Sequence, residues 1–82
     1  MGKHPHLIAL GRRIRELRKG KGFSQEEFAA KAGLGRAYYG GIERGERNVA
    51  ALNLIQIAWT LEVEVGDLFP PLAILRQLTQ DG

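Results

Sequence analysis

The side chains with the most chemistry to offer are cationic, and they are unevenly spread along the 82 residues. Residues 1–47 hold 11 Lys or Arg against five acids, whereas residues 48–82 hold one Arg against four. A basic half joined to an acidic half suits an anionic partner met at one end only, although a solvated basic face gives the same pattern. Other chemistries find little support. His4 and His6 flank a proline in what reads as a loose start, a poor setting for a metal pair. Gly33 and Gly35 begin a glycine pattern of the dinucleotide-binding kind, but Tyr38 takes its last place and no strand precedes it. Gly20-Lys21-Gly22 lacks the spacing of a phosphate-binding P-loop. No serine, histidine and acid fall into a recognisable catalytic arrangement. Without cysteine, neither a disulfide framework nor a thiolate zinc site can form. The expectation is a protein that is not an enzyme and uses no cofactor or metal.

A chain of this length supports one small core with a narrow stability margin, which dimerisation would widen. No apolar run approaches the roughly 20 residues that span a bilayer. Met1–Leu10 lacks the apolar stretch and small-residue cleavage site of a secretory signal. A soluble, cytoplasmic protein with no membrane partner is expected.

The elements that must position the cations follow from periodicity. Leu7, Leu10, Ile14 and Leu17 recur at helical spacing, with Arg12, Arg13, Arg15 and Lys19 on the other faces and Gly20 and Gly22 at the end. Ser24 and Glu27 form a capping box, flanked by Phe23 and Phe28 as a hydrophobic staple, so a second helix is expected over 25–32 and closes at Gly33. A third begins near Gly35 and stops at Gly45, with Tyr39 and Ile42 as core anchors. Its Gly40-Gly41 pair costs roughly 1 kcal/mol per glycine against alanine. Close approach to a duplex or to a neighbouring helix would each explain it. A fourth helix fits Ala51–Leu61, starting at Asn48 or just after, with Leu54, Ile57, Ala58 and Leu61 inward. A short helical turn over Gly66–Phe69 is halted by Pro70-Pro71, and Leu72–Gln80 can form a last short helix. The fold expected is all-α, with a flexible segment 1–6, a domain over 7–69 and a tail over 70–82.

Two short helices across a tight glycine turn make a helix-turn-helix unit, whose second helix can enter the major groove of DNA. The string from Ser24 to Leu34 resembles the first helix and turn of the Cro/phage-repressor family. Ile42-Glu43-Arg44-Gly45-Glu46-Arg47-Asn48 resembles the end of that family's recognition helix and its exit loop. Ile57 to Leu61 and Val63 to Phe69 are similar to its fourth and fifth helices, so the resemblance spans about Leu10–Phe69. Within the family, Arg36–Gly45 is most similar to controller proteins of restriction–modification systems. The resemblance implies a five-helix lambda-repressor-like domain with an added tail helix. It also implies a transcriptional regulator binding double-stranded DNA. Base-reading positions fall on Arg36, Ala37 and Gly41, with Tyr38 near the DNA. Gln25, Arg44 and Arg47 fall on phosphates, and Glu43 partners Arg18 structurally. An arginine at position 36 can donate twice to guanine O6 and N7, worth roughly 1–3 kcal/mol of discrimination. Ala37 can at most touch a thymine methyl, which leaves room for DNA shape to supply some of the selectivity.

Leu52, Ile55 and Trp59 form a second apolar stripe, rotated away from the core face of the fourth helix. With Val65, Leu72, Leu75 and Leu78 it can make a two-fold homodimer interface; alternatively, the tail folds back over the stripe within one chain. Two other functions remain open on the sequence: an antitoxin that represses its own operon, with a toxin as partner, and a basic helical protein-interaction domain. RNA polymerase is a further possible partner if the regulator activates.

Overall fold

The computed structural model describes residues 3–79 and contains, among them, only helices and turns. The elements run α1 (Pro5–Gly20), α2 (Gln25–Ala32), α3 (Arg36–Glu43), α4 (Ala51–Leu61), a 3-10 turn (Val65–Leu68) and α5 (Leu72–Leu78). The 3-10 turn occupies the place of the fifth helix, and α5 is the tail helix. Among the described residues, no helix is long and apolar enough to cross a membrane.

Several ends differ from the expected bounds: α3 stops at Glu43 before Gly45, the 3-10 turn covers Val65–Leu68 instead of Gly66–Phe69, and α5 ends at Leu78, the expected end at Gln80 lying outside the described residues. Helix α1 begins at Pro5, two residues before Leu7, so the expected flexible segment 1–6 is corrected at His4, Pro5 and His6. His4 caps it, with Nδ1 accepting from the His6 N–H at 3.0 Å. Pro5 sits in the first turn, where its fixed φ suits a helix and its missing N–H leaves no bond unmade. The His6 ring then bonds through Nε2 to the Leu75 carbonyl oxygen, 2.8 Å away, and ties the start of α1 to the tail.

Ile14, Phe28, Tyr39, Ile42, Ile57, Leu61 and Leu68 are fully buried, and Leu10, Ala29, Ala32 and Ala58 complete the core. Phe28 links Phe23 and Tyr39 in a chain of tilted aromatic contacts, with centroids 5.5 and 5.1 Å apart. The tightest crossing joins α1 to the end of α3. A Cβ at Gly11 would overlap the Ile42 carbonyl oxygen and lie 2.7 Å from that of Glu43. At Gly45, whose φ is 76°, a Cβ would lie 2.6 Å from the Ile8 Cα. These two glycines let α1 lie directly on the C-terminal turn of α3.

The tail does not cover the stripe on α4. Helix α5 packs on α1, leaving Leu52 79% and Trp59 75% exposed. The fold-back alternative is thereby corrected. Pro70-Pro71 and the His6–Leu75 bond carry the tail to α1, where Ile74 and Leu78 line an open groove with Ala9, Arg12 and Arg13. Ile55, Val65, Leu72 and Leu78 are also exposed, whereas Leu75 is half-buried.

Candidate nucleic-acid interface

Helix α2 begins with both arms of its capping box made. Ser24 Oγ accepts from the Glu27 N–H at 3.0 Å, and Glu27 Oε1 accepts from the Ser24 N–H at 2.9 Å. Those bonds hold the Glu27 carboxyl below the usual carboxylate range. Gly33 then turns the chain at φ 73°, the Leu34 N–H donates to the Ala29 carbonyl at 2.9 Å, and Gly35 starts α3. The left-handed turn is what packs two eight-residue helices into a helix-turn-helix.

The far end of α3 is held by a buried ion pair. Arg18 Nε donates to Glu43 Oε2 at 2.7 Å and Nη2 donates to Oε1 at 3.1 Å, with 9% and 2% of the two side chains exposed. Arg18 Nη1 also donates to the Phe23 carbonyl at 2.8 Å. Gln25 Nε2 donates to Glu43 Oε1 at 3.0 Å, so α1, α2 and α3 meet at one carboxylate. The Tyr39 hydroxyl is buried beside this network without a hydrogen-bond partner. Burial, with the Glu43 carboxylate beside it, pushes its phenol above the usual range.

The remaining expected site residues fall into two groups. Arg36 and Ala37 stand exposed on the first turn of α3. Arg36 Nη1 lies 2.5 Å from Glu26 Oε2 across the turn, with 73% of the arginine side chain exposed. Tyr38 is half-buried: its hydroxyl accepts from Asn53 Nδ2 at 3.0 Å, and the Arg47 guanidinium lies 5.6 Å from its ring centroid. Gly41 is buried beneath the Arg47 and Glu46 side chains, which a Cβ there would meet at 3.2 Å and 3.6 Å. In the free chain the Arg47 side chain lies over the place where Gly41 is expected to meet a base. Gly40 likewise makes room for Arg44 and for Gln25 of the neighbouring helix.

Gln25 commits one side-chain amide hydrogen to Glu43. Arg44 is exposed, and its fork donates from Nε and Nη2 to Glu46 at 3.1 Å each, which raises the arginine pKa and lowers that of Glu46. Sequence reasoning missed both glutamate partners. Glu26 and Arg36 lie on different helices, and Glu46 reaches Arg44 only because Gly45 turns back at positive φ. Neither relation leaves a periodic signal. Exposed pairs of this kind are held weakly and yield readily to a stronger anion.

A helix-turn-helix family model matches residues 14–68. The chain belongs to this family of DNA-binding transcriptional regulators, of the Cro/phage-repressor type. Among its relatives, control protein C.MunI from a Mycoplasma species is 44% identical over 63 residues, covering 76% of this chain and 85% of the relative. The crystal structure of the restriction-modification controller protein C.AhdI from Aeromonas hydrophila superposes with a TM-score of 0.75 at 49% identity. It covers 77% of this chain and 96% of that one. SinR, a master regulator for biofilm formation solved in complex with DNA, gives 0.69 at 38% identity, covering 72% and 95%.

Proposed function

We propose that this chain controls transcription by binding a near-palindromic DNA operator as a two-fold dimer, in the manner of a restriction–modification controller. The observation that carries the reading is the exposed first turn of α3, where Arg36 is restrained only by a solvent-facing carboxylate. Similarity to C.MunI and C.AhdI supports the controller role, and similarity to SinR supports the duplex as ligand.

In this reading α3 lies in the major groove. Arg36 leaves Glu26 and donates to a guanine edge, and Ala37 meets a neighbouring base. Backbone N–H groups of Gln25 and Glu26 at the start of α2 face one phosphate, and Arg44 and Arg47 take others. Tyr38 braces Arg47, and its hydroxyl still has its own hydrogen to donate to a phosphate. Arg36→Ala should relax preference at one base pair per half-site. Selection of bound duplexes from a random pool measures this, and an unaltered profile would refute the assignment.

The stripe of Leu52, Ile55 and Trp59, extended by Val65 and by Leu72, Leu75 and Leu78 of the tail, supplies the dimer face. Its exposed apolar area has no use in a monomer. A two-fold dimer sets the two α3 helices about 34 Å apart, one helical turn of DNA. Trp59→Arg places a charge on that face and is expected to leave a folded monomer in sedimentation. A dimer of undiminished strength would remove Trp59 from the interface.

A further inference from the structure

Four cations converge on one open cleft of about 300 Å³ between the first half of α1 and the exit of α3. They are Lys3, Arg12, Arg15 and Arg44, with Ile8 and Glu43 as the other walls. Glu43 is already neutralised by Arg18. Arg12 and Arg15, three residues apart and so on adjoining turns of α1, take part in no ion pair among the described residues. Among the described residues, the carboxylate paired with this group is Glu46, which accepts both arms of the Arg44 fork and lies 3.6 Å from Lys3 Nζ. Folding alone gives no reason to gather this excess of positive charge.

Glu46 borders the cleft without lining it, and its contact shows which anion geometry Arg44 accepts. A guanidinium grips a carboxylate and a phosphate with the same two-pronged geometry. We infer that the cleft seats a backbone phosphate of duplex DNA beyond the groove occupied by α3, and that Glu46, at its border, competes with that phosphate for Arg44 and Lys3 in the free protein. The inference rests on the reading of α3 as the groove helix, because Arg44 belongs both to the exit of α3 and to the cleft. Free polyphosphates carry the same oxygens, but continuity with α3 through Arg44 favours the duplex. On binding, Glu46 swings away from Arg44 and Lys3, while Arg12 and Arg15 close on the phosphate from α1.

The test uses the full chain and its selected operator, titrated across a salt series. Arg12→Gln/Arg15→Gln should weaken all sequences alike by roughly tenfold and shrink the slope of log affinity against log salt by about one. Glu46→Gln removes the competing anion and should tighten binding by about two- to fivefold. Opposite shifts from two exposed sites exclude a mere loss of folding, which circular dichroism checks directly. An unchanged affinity and slope in the double variant would overturn the seat, and Arg36→Ala then tells whether the α3 reading survives. If the double variant weakens binding while Arg36→Ala leaves base preference intact, the seat stands and only the base contact of Arg36 falls. Inorganic pyrophosphate supplies the second arm. Its binding to the wild type but not to the double variant, with operator binding unaffected, would replace the duplex by a free polyphosphate. A Glu46→Gln variant with unaltered affinity would remove Glu46 from the role given it.

Discussion

Glu43→Ala is expected to cost about 3–5 kcal/mol of folding stability, against a total of about 4–12 kcal/mol for a domain of this size. The loss comes less from the bonds removed than from the charge left behind. Arg18 cannot give up its proton, and its buried guanidinium would keep only the Phe23 carbonyl among its present partners. The reciprocal variant behaves differently. In the wild type, burial works against ionisation of Glu43, but hydrogen bonds from Arg18 and Gln25 outweigh it and hold the carboxyl below its usual range. That contribution is fully present above the unfolded value of about 4.3 and is lost as pH falls through the lowered folded value. In Arg18→Ala the stranded carboxyl is pushed upward instead. Stability should then improve as pH drops from neutral towards the unfolded value, an interval over which the wild-type contribution stays level. Replacing both residues, as in Arg18→Met/Glu43→Leu, should recover most of the loss because no buried charge remains. Urea unfolding at one protomer concentration from pH 4 to 8 measures all four proteins. A loss below about 1 kcal/mol in Glu43→Ala, well under the range for a stranded buried charge, would show that water reaches the site. Parallel pH profiles for wild type and Arg18→Ala would show the same.

Much of this arrangement was legible in the sequence because its signals are local. Ser24 and Glu27 are three residues apart, and a capping box needs nothing beyond that spacing. The core face of α4 and the glycine turn at Gly33 are equally short-range. What could not be read depends on how elements meet. The start of α1 leaves little signal because histidine is an uncommon cap, and only the folded geometry aims His4 Nδ1 at the His6 N–H. The direction of the tail is set by a bond between residues 69 positions apart. Gly40-Gly41 was ambiguous for the same reason: a glycine records that room is needed, but not which group takes it. Here the occupants are the side chains of Gln25, Arg44, Glu46 and Arg47. This surface of α3 is thus arginine-covered backbone, and the glutamates that restrain it come from outside α3. Helix periodicity reports only which residues share a face, so partners such as Glu26 and Asn53 stay invisible until the helices are packed.

Gly11 carried no signal at all, being one small residue in a helix otherwise well patterned, yet its replacement should rank among the most damaging. Alanine is the better helix former by about 1 kcal/mol, so on α1 considered alone Gly11→Ala ought to stabilise. The added methyl instead meets the carbonyls of Ile42 and Glu43, 2.7 Å from the latter oxygen and 2.9 Å from its carbon. Those atoms are main chain, so no rotamer change can clear them, and α1 must lift from the last turn of α3. Overpacking of this kind costs typically 1–3 kcal/mol and occasionally more, roughly. With Arg18 and Glu43 bridging the same two helices, lifting one also stretches the buried pair. A net loss of about 2–3 kcal/mol is therefore expected even after the helix-propensity gain. Gly20→Ala is the matched control, since a Cβ there meets nothing within 4 Å at the end of the same helix. It should leave stability unchanged or raise it by up to about 1 kcal/mol. Denaturant midpoints for the two variants therefore ought to move in opposite directions, or the first alone ought to fall. If Gly11→Ala unfolds no more easily than Gly20→Ala, then α1 does not lie against the α3 carbonyls. The ion pair, the cation cleft and the setting of α3 toward the duplex would all have to be redrawn, because each depends on that crossing.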